Sequence, residues 1–281
     1  MILHRYLGSH LEDTVLNQRL KASKPSQFND PFEFRFKALD DVSGDKLDYY
    51  LENIPQQNIE AYCAGAKREL SPEQVIEGIK KQYPDWKNKL PNDLYAIAKN
   101  ISKKAQTNSE KAFRVICFND PIKVKPMDEI LLWSHYTNNH SGARIEIDTD
   151  FLKKDSPLRE VKRINYPPAL TQISTVDLAL NKTTALVDTM ISKAKQWAYE
   201  QEVRCFPLLE QTICLTTPDG LIELVDLPIQ AVRRIDFGIR FDRTRRDDLV
   251  TRLRLDNHSH INFRQATCSE VEYKIEYIEV H

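Results

Sequence analysis

From about residue 44 to residue 112 the chain reads as helix, and strand-like segments stand on both sides of that stretch. Ser71-Pro72-Glu73-Gln74 is a helix start with every part in place: a hydroxyl cap, proline at the first position and a glutamine that can bond back to the cap. Asn92 offers a second, weaker start. One block of helices set between strands is incompatible with the regular alternation that builds a parallel α/β sheet. The expected class is therefore α+β, a single domain over residues 1–281 with a helical insertion lobe at about 44–112. Before the block lie a short strand at 2–7, a helix at 9–20 and a strand-like FEFRF at 32–36. After it, strands at 113–118 and 142–148 flank a short helix at about 128–137, and a long helix is expected at about 175–196. Strands near 211–216, 221–226 and 232–239, a helix near 243–255 and two terminal strands complete the reading.

Composition narrows the function classes. Lys and Arg number 40 against 41 Asp and Glu, which excludes a nucleic-acid binder working by total charge and leaves only a local patch. Seven glycines in 281 residues supply no glycine-rich phosphate loop, which argues against Rossmann and P-loop nucleotide binding. Five cysteines, odd in number and without a CxxC pair, read as reduced, mostly buried thiols. The histidine pairs His4/His10, His135/His140 and His258/His260 lack companion ligands at metal spacing, so no metal is expected. No apolar run reaches the length of a membrane span, and MILHRYLGSH lacks the regions of a signal peptide; a cytoplasmic protein with no membrane partner is expected.

Four stretches concentrate residue types that do chemistry. LHRYLG puts Arg5 and Tyr6 in the first strand; PSQFNDPFE contains Asn29-Asp30-Pro31, which also reads as a side-chain-stabilised turn. LLWSHYTNNHSG packs Trp133, Ser134, His135 and Tyr136 into one helical turn before a glycine. Trp133 reads more readily as core than as a site residue, and His135 also reads as a satisfied histidine at a helix end. In WAYEQEVRC, residues 197–205, a two-residue period places Glu200, Glu202 and Arg204 on one strand face and Tyr199, Val203 and Cys205 on the other. A solvated sheet edge would also produce that alternation. Between Arg233 and Arg254 the chain carries eight arginines; these read as a solvated strand and helix or, if they converge, as a grip on phosphates.

Taken together, FNDPFE, CFxxP…LLWSHYxxNHxG and KxxxWxYEQEVR resemble the signatures of a widespread prokaryotic domain-of-unknown-function family. The likeness runs over nearly the whole chain, including the late IDFGIRF strand and the helix after it. That family is in turn remotely similar to ADP-ribosyltransferase toxins. The similarity implies a split mixed β-sheet cleft that holds NAD as co-substrate in a bent form. It assigns Glu202, Glu200 and Arg5 to catalysis, and Arg5, Tyr6, Asn29, Asp30, Phe118, Trp133, His135 and Tyr136 to NAD binding. The middle motif lies somewhere between Phe118 and Tyr136, since ICFNDP has no Ser-Thr-Ser.

In such enzymes a carboxylate stabilises the oxocarbenium-like centre formed when nicotinamide leaves ribose. The glutamate two residues before it positions the nucleophile or acts as its general base. Arg5 would hold the diphosphate or ribose, Tyr136 would stack on nicotinamide, and Arg204 would fix the carboxylates by a bidentate ion pair. The expected activity is that of an NAD-dependent ADP-ribosyltransferase, a toxin or antiphage-defence effector acting on RNA or DNA bases in preference to protein. A toxin would also imply an antitoxin protein as partner. The alternative is a non-catalytic nucleic-acid-binding or protein-interaction module on the same fold.

Overall fold

The computed structural model describes residues 1–82, 85–182, 184–217 and 220–281. In chain order the strands are β1 (Ile2–Leu7), β2 (Arg19–Ala22), β3 (Lys37–Leu39), β4 (Ile116–Asn119), β5 (Ala143–Asp148), β6 (Lys162–Arg163), β7 (Gln172–Ser174), β8 (Glu202–Cys205), β9 (Ile213–Thr217), β10 (Gly220–Asp226), β11 (Val232–Phe237), β12 (Asn262–Cys268) and β13 (Ile275–Glu279). The α-helices are α1 (Leu11–Leu16), α2 (Asp45–Glu52), α3 (Gln56–Ala66), α4 (Pro72–Gln82), α5 (Trp86–Lys103), α6 (Ala105–Ser109), α7 (Pro126–Tyr136), α8 (Thr175–Ala179), α9 (Thr184–Met190) and α10 (Arg243–Leu255). The class is α+β, with a mixed sheet and no regular alternation. The chain divides into two compact units: residues 1–29, 109–166 and 195–281 form the first, and residues 30–108 and 167–194 the second.

In the first unit eight strands lie in the order β13-β12-β11-β5-β1-β4-β8-β6. Only β11 and β12 run parallel; the other neighbours are antiparallel. A separate sheet, β2-β10-β9, approaches through a bridge between Ser23 and Val115. Directly opposed residues of a ladder share a face. Leu3, Leu7, Phe118, Ile145, Ile147, Val203, Cys205, Ile235 and Phe237 therefore form one apolar surface, buried with Leu249, Val250 and Leu253 of α10. Asp242 starts that helix by accepting the Arg245 amide at 2.8 Å, an N-cap bond.

The opposite face is polar yet largely buried. Asp236 is 0% exposed. Its carboxylate receives Arg144 at 2.6 and 2.9 Å, Arg264 at 2.6 Å and Arg234 at 3.2 Å. Arg144 also pairs with Glu129 of α7, Arg234 with Glu146, and Glu146 lies 3.2 Å from His4 Nε2. The Arg144 guanidinium sits 4.9 Å from the Tyr277 ring centre, and Tyr277 donates to Glu129 at 2.7 Å. Charges so deeply placed are tolerable only when paired and hydrogen-bonded.

The second unit contains the helical stretch together with residues 167–194, so the lobe expected at 44–112 gains a distant segment. Lys37–Leu39 pairs in parallel with Gln172–Ser174, and Ala38 and Ile173 share a core with Phe36, Ala98 and Leu178. The Ser71 start forms as read: Gln74 N–H donates to Ser71 Oγ at 3.3 Å and Ser71 N–H to Gln74 Oε1 at 3.0 Å. Asn92 starts nothing. It lies inside α5, where its amide donates to the Asn88 carbonyl at 2.9 Å.

Other differences have local causes. FEFRF at 32–36 forms turns instead of a strand; Phe34 takes a φ of +63°, and Phe32 is exposed. The helix expected at 9–20 stops at Leu16 because Gln18 turns left-handed at φ +54°, and Arg19–Ala22 becomes a strand. In place of one helix over 175–196 stand α8, α9 and a 3₁₀ turn that begins at Lys195. Asn181, with φ +57°, ends the first of these segments.

Burial alone would raise the Asp236 carboxyl, but Arg144, Arg264 and Arg234 outweigh it and hold it at about 2, against 3.8 normally. A depressed carboxyl contributes stability that is complete above its unfolded value and is lost as pH falls through its folded one. We expect unfolding free energy to drop by about 2 kcal/mol between pH 4 and pH 2 on account of Asp236, at ~1.4 kcal/mol per unit. Asp236→Ala should cost about 3–5 kcal/mol at neutral pH, because it strands buried guanidinium groups. Urea unfolding of both proteins across this pH range measures the two effects.

Candidate functional site

The segment WAYEQEVRC does not run as one strand. Lys195–Glu200 winds as a 3₁₀ turn, Gln201 is left-handed at φ +46°, and β8 begins only at Glu202. The two-residue period therefore does not carry back to Glu200, and its expected place on the strand face with Glu202 is corrected. Nor is this a solvated edge: β8 lies between β4 and β6, and all four of its residues are buried.

Glu202 is 4% exposed. Its Oε1 receives Arg204 Nε at 2.6 Å and its Oε2 receives Arg204 Nη2 at 3.1 Å. The bidentate pair expected of Arg204 is present, on Glu202. The guanidinium also stands 5.3 Å from the centre of the Phe28 ring. Cys117 faces Arg204 across the ladder, and burial, then the neighbouring Glu202, pushes its thiol well above the usual range. The Glu202 amide donates to the Tyr166 hydroxyl at 2.7 Å.

Glu200 is held differently. It is 2% exposed, and Tyr136 donates its hydroxyl proton to Oε1 at 2.5 Å. Asn119, opposite Glu202, donates its side-chain amide to the Glu200 carbonyl at 2.7 Å, and the Asp120 amide donates to the Gln201 carbonyl at 3.0 Å. The end of β4 thus clamps the turn that aims Glu200. Helix α7 supplies the other wall. Pro126 and the acidic residues Asp128 and Glu129 favour its start, and Trp133 anchors it by donating to Tyr277 Oη at 3.1 Å. That anchoring presents His135 and Tyr136 to the turn. His135 Nδ1 lies 3.0 Å from Tyr199 Oη, and its ring centre is 6.2 Å from those of both Trp197 and Tyr199. An aromatic group, exposed at His135 and half-buried at Tyr136, Trp197 and Tyr199, thus adjoins a fixed carboxylate.

The residues assigned by resemblance separate accordingly. Glu200, His135 and Tyr136 come together, with Glu202 two residues along the chain. Arg5 does not join them. It faces Ile145 in the ladder and alternates with Leu3 and Leu7 on the apolar face, where its guanidinium donates to the Cys117 carbonyl; His4, opposite Asn119, occupies the position on the Glu202 side. Phe118 is buried in that same apolar core. Tyr6 and Trp133 are buried against each other, edge to face at 5.4 Å, and are structural. Asn29 is exposed at the end of a segment of the first unit. Asp30, in the second unit, makes the turn read from its sequence, accepting the Phe32 amide at 2.9 Å. Trp197, Asn119 and Tyr166 were not read as site residues; only the aromatic spacing in WAYE carried a signal.

The arginine run from 233 to 254 does not gather beside this cluster as a free patch. Arg233 pairs with Asp148, Arg234 with Glu146, Arg245 with Glu12, Arg246 with Asp247 and Arg252 with Asp248. Among the described residues no group of three or more His, Cys, Asp and Glu side chains is placed to hold a metal ion, and no helix is long and apolar enough to cross a membrane.

Arg204→Met should destabilise the protein by about 3–5 kcal/mol, because the Glu202 carboxylate then stays buried without its guanidinium. Adding Glu202→Gln should recover much of that loss. A double-mutant cycle by chemical unfolding reads the coupling, and additive single effects would show that the pair is energetically idle.

Residues 132–205, from the second half of α7 through β8, match a family described as protein of unknown function (DUF2971). The match takes in LLWSHY's last five residues, NHSG and WAYEQEVR, and leaves FNDPFE and IDFGIRF outside, so it is narrower than the likeness read from the sequence. No curated protein and no solved structure matches the chain.

Proposed function

We propose that the first unit carries an NAD-dependent ADP-ribosyltransferase site, with the glutamates of the EQE segment as its acidic residues. The observation that carries this reading is the Tyr136–Glu200 hydrogen bond beside the rings of His135, Trp197 and Tyr199. The aromatic group suits stacking on a nicotinamide ring, and the adjoining carboxylates suit the hydroxyls and developing positive charge of a ribose. Bound NAD would supply the ADP-ribosyl group and nicotinamide as leaving group. Glu202, oriented by Arg204, is the electrostatic residue in this reading, and Glu200, oriented by Tyr136, positions the incoming nucleophile. The fit covers the nicotinamide and ribose end. Arg5, on the other sheet face, is not available to grip the diphosphate.

That displacement of Arg5, together with the double engagement of Glu202 by Arg204, favours one competing reading: a non-catalytic nucleic-acid-binding or protein-interaction module. The finer likeness to toxin or antiphage effectors, a cytoplasmic site of action and an antitoxin protein as partner belong to the enzymatic reading. A nucleic-acid base is the acceptor we favour. With the 233–254 arginines largely engaged in ion pairs, its phosphates would need another grip.

The enzyme should release nicotinamide from NAD and label a macromolecule in cell lysate when given labelled NAD. Separate nuclease and protease digestion of the product identifies the acceptor. Glu202→Gln should lower both NAD hydrolysis and transfer by about a hundredfold or more. Glu200→Gln and Tyr136→Phe should reduce transfer more than hydrolysis. Both glutamates are buried, so circular dichroism and unfolding midpoints must accompany the rates. Absence of NAD turnover and labelling by the folded wild-type protein would leave the binding-module reading.

A further inference from the structure

Two signature segments remain without a task in the proposed reaction: NHSG after α7, and DFGIRF running out of β11. They meet in the structure. Gly238 N–H donates to the Gly142 carbonyl at 2.8 Å, and Arg240 N–H to the His140 carbonyl at 2.9 Å. The approach is so close that a Cβ on Gly238 would collide with the His140 carbonyl oxygen, and one on Gly142 with that of Leu7. Asn138, Asn139 and His140 are all left-handed, with φ of +49°, +55° and +69°. Three successive non-glycine residues in that region are rare, although Asn and His tolerate it better than most. Strain of this kind persists where surrounding structure holds it, commonly beside a functional group.

The geometry delivers His140 and Arg240 to the wall of a cavity of about 620 Å³, whose apolar lining includes Ile130, Ile239 and Ile275. This volume falls within the range of small-molecule sites, about 300–1,000 Å³. Both polar groups lack the partner their chemistry calls for. His140 Nδ1 is buried without a hydrogen bond. The Arg240 guanidinium donates only a long bond, 3.4 Å, to the Asn139 carbonyl, and among the described residues no carboxylate pairs with it. Burial, and then Arg240, holds the His140 imidazole below its ordinary value. The other lining cation, Lys274, already pairs with Glu272 at 2.9 Å.

We propose that this cavity binds a small organic anion, its phosphoryl or carboxylate head held by Arg240 beside the His140 ring and its apolar body lying against the isoleucines. The site rests on residues other than those of the proposed transferase centre, and it stands whether or not the protein turns over NAD.

Phenyl phosphate and benzoate, titrated calorimetrically into the 281-residue chain with inorganic phosphate as reference, provide the test. His140 ring nitrogens are followed in parallel by NMR. Both aromatic anions should bind at least about tenfold more tightly than inorganic phosphate and shift the His140 Nδ1 signal. Arg240→Gln and His140→Asn, the latter tolerant of the left-handed backbone, should each weaken binding about tenfold. Arg240→Lys should retain more affinity than Arg240→Gln. The tighter of the two anions identifies the preferred head. Lack of saturable binding by the wild-type chain, an unmoved His140 signal on saturation, or equal affinity in the folded variants overturns the proposal.

Discussion

Asp236 sits with no exposure at the centre of the polar sheet face, surrounded by three arginines that approach from β5, β11 and β12. A carboxylate in that position must be paired, and each arginine that pairs with it needs a further partner or solvent. Glu129 and Glu146 meet that need for Arg144 and Arg234, and Glu129 is part of α7. The same charge balance that holds the middle of the sheet therefore fixes the helix lying across it. Tyr277 and Trp133 extend the arrangement through hydroxyl and indole hydrogen bonds. Helix α7 is thereby set in both position and rotation.

That rotation governs the candidate site. With Trp133 locked inward, Tyr136 and His135 reach the turn before β8, and Tyr136 meets the Glu200 carboxylate. Asn119 and Asp120, at the end of β4, hold the backbone of the same turn from the other side. Two glutamates separated by one residue consequently occupy different environments: Glu202 in an ion pair on the sheet, Glu200 beside an aromatic group. Different environments are what a division of roles between two carboxylates requires. The far end of α7 leads into the left-handed turn at 138–140, so one anchored helix shapes both the glutamate cluster and the His140 cavity wall.

Much of the fold was legible where the determining physics is local. The Ser71 capping box, the helix near 243–255 and the strand at 142–148 follow from residues within a few positions of one another. The side of Arg5 was also legible: LHRYL alternates, which puts Arg5 with Leu3 and Leu7. Resemblance to Arg-containing transferases pointed to the site instead, and the ladder register corrects that assignment. FEFRF misled because its alternation suits a strand, whereas Phe34 is held left-handed in a turn.

By itself the sequence determined the α+β class, the block of helices between strands and the pairing capacity of Arg204 with a nearby carboxylate. These depend on periodicity and short-range hydrogen bonding. Only the tertiary structure decided that Gln201 breaks the strand, that β8 is flanked on both sides, and that Tyr136 finds Glu200 across 64 residues of chain. It also decided that most of the arginines after Val232 pair with carboxylates instead of forming a free patch. The reason is physical: burial converts each charge into a demand for a partner, and the partners come from strands and helices far apart in the chain.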